Sequence, residues 1–153
     1  MTGMSLMARL TEDMKQAMKD KEAGKFRLGV IRMARSSIKN AENNERRELT
    51  DDEILTILSK EVKMRRDAAS EFEKAGRMDL ASGVEAEAAI LLSYLPEQLS
   101  AAEVEAIVRQ AVEQAQATSV REMGKVMALV MPQVKGRADG KLVNEMVRKA
   151  LGA

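Results

Sequence analysis

Three Ser/Thr-x-x-Glu signatures punctuate this chain: Thr50-Asp51-Asp52-Glu53, Ser100-Ala101-Ala102-Glu103 and Ser119-Val120-Arg121-Glu122. In such a box the hydroxyl accepts the backbone N–H three residues on. The glutamate reaches back to the amide of the hydroxyl residue, so two donors left open by a helix start are satisfied. After each box, apolar residues recur at intervals of three and four, which places them on one helical face. The same spacing fills the remaining segments, so the chain is expected to be all-α. Composition supports this, with 45% hydrophobic residues, twelve Met, two Phe, one Tyr and no Trp. So few aromatics leave aliphatics, Met and Ala to build the core, which suits close-packed helices. Core filling is the expected role for most of the Met residues, although Met also serves adaptable binding surfaces.

In chain order, Ser5 to about Lys21 reads as a helix with Leu6, Leu10, Met14, Ala17 and Met18 inward, broken at Ala23-Gly24. Lys25 to about Arg47 follows, with Ile31, Ala34, Ile38 and Ala41 as its stripe, broadened by Phe26, Val30 and Met33. The helix opened by Thr50 runs to about Ala75, with Leu55, Leu58, Val62, Arg65, Ala69 and Phe72 inward and Gly76 suited to end it. Arg65 is a charge inside that stripe. It is expected to snorkel at the core edge, with pairing to Glu61 or to a neighbouring helix as the alternative. Asp79 to about Tyr94 is the fourth helix, with Leu80, Val84, Ala88, Leu91 and Leu95 inward. Glu85 and Glu87 are two apart, point in different directions, and read as surface charges.

Pro96 lacks an amide and disfavours helix at the residue before it, so a boundary is expected there. The division is an N-terminal helical domain of about four helices, residues 1–96, and a three-helix domain, residues 97–153. The second part reads as a helix from Ser100 to about Ala117, a helix opened by Ser119 that Pro132 stops or kinks, and a last helix from about Gly140 to Leu151.

Formal charge is +1, so bulk electrostatics steers the chain to neither nucleic acid nor membrane, and any anion site must be local. With no Cys there are no disulfides or thiolate metal sites, which fits a reducing cytosol. With no His the commonest general base and metal ligand is missing. No apolar run reaches membrane-spanning length, and the start carries no pattern of a signal peptide. No phosphate-binding glycine loop, zinc motif or CxxC is present, and Ser36-Ser37 has no base to activate it. No cofactor, metal or catalytic residue is assigned, and a binding or accessory module is the physical default.

The stretch that stands out is Lys135-Gly136-Arg137-Ala138-Asp139-Gly140-Lys141, read as a loop between two short apolar helices. Three of its seven side chains are cationic. Its glycines permit close approach of a partner, and Asp139 is placed to cap the next helix. With Lys125 nearby, it forms a compact corner suited to phosphate or carboxylate. A tight solvated connection is the plainer reading of the same residues. A second cationic row, Lys25, Arg32, Lys39 and Arg46 at intervals of seven with Arg35 beside them, reads as a solvated face or a row of phosphate contacts.

Several runs resemble the GatB/YqeY family in its stand-alone form, over nearly the whole chain. They include Ile38-Lys39-Asn40-Ala41-Glu42 within Leu28 to Glu42, Arg47-Glu48-Leu49-Thr50-Asp51, Lys63-Met64-Arg65-Arg66-Asp67 and Glu71 to Arg77. Others are Tyr94-Leu95-Pro96-Glu97-Gln98-Leu99, Met123-Gly124-Lys125-Val126-Met127 and Val134 to Gly140. The resemblance implies two helical parts, the second similar to the tail of the B subunit of tRNA-dependent amidotransferases, where it helps hold tRNA. It also implies a family label of carbon–nitrogen ligase with glutamine as amido donor, an activity not expected of this chain alone. Carried over, Lys125, Lys135, Gly136, Arg137, Gly140 and Lys141 become RNA backbone contacts, with tRNA or a tRNA-linked complex as partner. The alternative is a protein-interaction module that docks an acidic or helical partner through exposed Met and basic faces.

Overall fold

The computed structural model describes residues 3–152, and these form seven α-helices, no strand, and two short 3-10 turns. The chain divides into two units, Met1–Leu95 and Pro96–Ala153. The first holds α1 (Leu6–Lys19), a 3-10 turn (Lys21–Gly24), α2 (Lys25–Glu45), α3 (Asp51–Lys74) and α4 (Met78–Leu92). The second holds α5 (Ala101–Ala115), a 3-10 turn (Val120–Glu122), α6 (Met123–Val134) and α7 (Gly140–Ala150). No helix among the described residues is long and apolar enough to cross a membrane.

The first core is aliphatic: Leu10, Ile31, Ile38, Ile54, Leu58 and Leu91 are fully buried. Each such side chain contributes about 1.5–3 kcal/mol by leaving water. Tyr94 is also buried; its hydroxyl hydrogen-bonds the Asp13 carboxylate and the Arg9 guanidinium lies 4.9 Å from its ring centre. Burial first, and then the Asp13 carboxylate, raise the Tyr94 pKa and hold its proton in place.

Methionine departs from the expected role. No described Met is buried; Met4, Met18, Met33, Met64, Met78 and Met131 are exposed, and the others lie half-buried at core edges. Phe26 is exposed too, so α2 buries a narrower stripe, Val30, Ile31, Ala34 and Ile38. Leu80, expected inward, is exposed. The distal ends of α3 and α4 pack through small buried residues, Ala69 and Ala81, outside the main cluster. The hairpin tip closes on Gly76 at φ 74°, where Arg77 N–H reaches Phe72 O at 2.8 Å and Gly76 N–H reaches Glu73 O at 3.0 Å. That paired pattern is a left-handed helix cap, which a glycine adopts without a side-chain penalty.

Arg65 is buried and does not snorkel. Its Nη1 meets Glu61 at 3.0 Å and its Nε meets Glu87 at 3.1 Å, while Glu61 also accepts from Ser37 Oγ at 3.0 Å. Glu87 is therefore half-buried and engaged across the α3–α4 interface, contrary to its reading as a surface charge.

Two of the three expected capping boxes form, at Thr50/Glu53 and Ser100/Glu103. The third does not. The Glu122 amide bonds Ser119's backbone carbonyl in a 3-10 turn, and the Glu122 carboxylate takes the Thr118 amide at 2.6 Å. At the first box, the Arg47 fork on Glu53 (2.8 and 2.6 Å) and then the Thr50 amide push the Glu53 pKa from 4.5 down to about 2. A depressed carboxyl pKa stabilises the fold above the unfolded value, and that stability is lost as pH falls from about 4.5 through about 2. Carboxyl-carbon NMR is expected to place the Glu53 midpoint near 2, and Arg47→Gln is expected to raise it. A midpoint unmoved by Arg47→Gln would contradict the pairing.

The second core is valine-rich: Val104, Val108, Val126, Val130, Val134, Val143 and Val147 are buried. Pro132 lies inside α6 on its exposed side, and the helix ends two residues later at Val134. The loss of one intrahelical donor is tolerated there, close to the terminus.

Candidate anion-binding corner

α7 starts at Gly140, as its apolar spacing predicts, so the connection from α6 is Lys135 to Asp139 and Lys141 lies in the first turn of α7. Val134 and Val143 bury the flanking helices and fix the two ends of the loop. Between them Gly136 takes φ 73°, and the Arg137 and Ala138 amides both return to Val134 O, at 2.8 and 3.1 Å. Asp139 caps α7 by accepting the Lys141 amide at 3.1 Å.

This loop is clasped to the segment that precedes α5. Leu99 N–H donates to Arg137 O at 2.8 Å, and Gln98 Nε2 donates to Gly136 O at 2.8 Å. In return, Arg137 Nε donates to Glu97 O at 3.1 Å and its Nη1 to Gln133 O at 3.3 Å. Arg137 is thus half-buried and bonded to backbone carbonyls; it sets the loop's shape and is not a freely presented phosphate ligand. Gln98, which sequence reasoning passed over, is a full member of the clasp. The only hint of this was its place beside Pro96 in a distinctive run.

What the corner presents to solvent is two cations, Lys135, the C-cap of α6, and Lys141, in the first turn of α7, with the exposed capping carboxylate of Asp139 between them. Both are exposed, and neither has a carboxylate partner among the described residues. The amino-terminal end of α7 adds the positive end of its dipole. Hydrogen bonds from Ser100's amide and hydroxyl, and then the Arg137 charge, lower the Glu103 pKa. Lys125 does not join the corner. It sits near the start of α6, roughly 15 Å of helix away from Lys135 at 1.5 Å per residue.

The second cationic row is not a continuous face. Lys39 pairs with Glu42 at 3.5 Å, and Arg35 is half-buried with Nη1 3.2 Å from Met14 Sδ. Arg46 leaves the helix as a left-handed cap at φ 57°. Lys25 and Arg32 remain exposed. Among the described residues, no group of three or more Asp or Glu is arranged to hold a metal ion.

The chain is 30% identical to a protein of Pyrenophora tritici-repentis called "Altered inheritance of mitochondria protein 41, mitochondrial", over 97% of this chain and 82% of that one. It is 32% identical to an uncharacterized protein of Schizosaccharomyces pombe over 60% of this chain and 70% of that one. The family model for the Yqey-like protein matches residues 7–151, a span that takes in the second core, the whole clasp and all of the first core but Leu6, and the chain belongs to that YqeY-like family.

Proposed function

We propose that the second unit is an RNA-contacting accessory module, with tRNA or a tRNA-linked complex as its partner, and that it positions the phosphate backbone without reading sequence. The observation that carries this reading is the pair of exposed, unmatched cations, Lys135 and Lys141, on either side of a loop whose backbone is pinned by the clasp. Rigid placement lowers the ordering cost of each contact. The likeness to the amidotransferase B-subunit tail supports tRNA over other folded RNAs. The role is association with amide transfer; no residue here is assigned to catalyse it. The cytosol is the compartment we propose; the cysteine-free composition is compatible with it, as with any reducing compartment.

Filter binding of tRNA across a salt series tests the reading. Lys135→Ala/Lys141→Ala is expected to lower the slope of log affinity against log salt by about 2, roughly one per lysine. A flat salt response in the unaltered protein, or an unchanged slope in the double variant, would refute it. Arg137 is unsuitable for this purpose, because its loss would also open the clasp.

A further inference from the structure

Within the first unit only some of the surface cations pair with a carboxylate. Arg27 pairs with Asp20 at 3.0 Å, Lys39 with Glu42 at 3.5 Å, Arg47 with Glu53 at 2.6 Å and Arg77 with Asp79 at 3.0 Å. Three of those without such a partner are gathered at the α1–α2 elbow. Lys21, Lys25 and Arg32 line an open groove of about 280 Å³ and have no carboxylate partner among the described residues. Glu22 also lines it, so the charges stand at three positive to one negative. The floor is apolar: Ala17 is buried, Leu28 is half-buried, and Met18 lies beside them with 50% of its surface exposed.

Two further features bear on what fits there. Lys21 holds φ 51°, a left-handed conformation that glycine would adopt without side-chain strain, yet a lysine occupies it. Lys25 and Arg32 are seven residues apart, about 10.5 Å along α2, a wider spacing than one phosphate or carboxylate covers. An extended partner with repeated carboxylates matches that spacing. An amphipathic helix carries side chains at i and i+7 on one face with apolar residues beside them. The groove contains no aromatic ring on which a base could stack, which favours protein over RNA.

We propose that the α1–α2 groove docks an acidic amphipathic helix of another protein, its carboxylates facing Lys21, Lys25 and Arg32 and its apolar side chains covering Met18 and Leu28. This surface belongs to the first unit and does not rest on the RNA reading of the second. The test is a titration of the full ¹⁵N-labelled chain with a synthetic 14-residue helical peptide bearing Glu at i and i+7 with Leu between. A peptide with Lys for Glu serves as control. Amide shifts are expected to concentrate between Ala17 and Arg32, with affinity falling several-fold between low and moderate salt. Lys21→Glu/Lys25→Glu/Arg32→Glu is expected to weaken binding at least tenfold, and the lysine peptide is expected not to bind. Met18→Glu, which leaves the three cations in place, is expected to weaken binding several-fold and covers the case in which the triple variant fails to fold. Absence of shifts in this stretch, or unaltered binding by a folded variant, would overturn the proposal. So would tRNA displacing the peptide from the same residues.

Discussion

Gly24→Ala is expected to destabilise the first unit by about 3 kcal/mol, at the upper end of the usual cost of overpacking. Gly24 is buried, and its φ of −97° is open to any residue, so backbone freedom is not the reason for glycine here. The reason is proximity. A Cβ at this position would lie 2.2 Å from Ala17 O and 2.9 Å from Ala17 C and Cα. Those are backbone atoms of α1, and no rotamer change can move them aside. The 3-10 turn therefore packs against α1 at a distance that only glycine permits. Gly29→Ala is the control: it lies inside α2 with nothing within 4 Å of the added carbon. That change is expected to stabilise by up to about 1 kcal/mol, the usual helix preference for alanine. Denaturant midpoints of the two variants should move in opposite directions; equal effects would dismiss the close approach.

Arg65→Ala is expected to cost about 3 kcal/mol. Removing one partner of a buried ion pair leaves the other charge uncompensated, typically at 3–5 kcal/mol. The low end applies, because the Glu61 and Glu87 side chains retain 20% and 26% of their exposure, against 9% for Arg65. Two carboxylates would then share a partly dry interface with only Ser37 as donor to one of them. Glu87→Gln in the Arg65→Ala background is expected to recover part of the loss, since it removes one of the orphaned charges. A double-mutant cycle over Arg65 and Glu87 measures the coupling directly. Coupling below about 0.5 kcal/mol would reduce the pair to the status of an exposed salt bridge.

The helices were legible from the spacing of apolar residues, and two of their starts from the Thr50 and Ser100 boxes. Ser119-Val120-Arg121-Glu122 has the same letters but opens a 3-10 turn, because its amide is satisfied by a backbone carbonyl before the hydroxyl can compete. Arg65 could be seen as an anomaly in its stripe. Glu61 was visible as an i,i+4 partner, whereas Glu87 becomes one only when α3 and α4 pack antiparallel. Met18, Phe26, Met33 and Leu80 satisfied the helical period and still stayed outside, since a period marks a face and cannot say how far the facing helix extends. In the corner, Lys135, Lys141 and the Asp139 cap were readable from local chemistry. The commitment of Arg137 to Glu97 O was not, because it joins residues forty apart in the chain.

That bond across forty residues alters the meaning of the two most distinctive runs in the protein. Pro96-Glu97-Gln98-Leu99 and Lys135-Gly136-Arg137 fasten to each other, largely main chain to side chain, so much of their lettering is carpentry. A distant protein that shares those letters inherits a joint, and with it a shape. What that protein carries must be learned from the residues standing outside the joint.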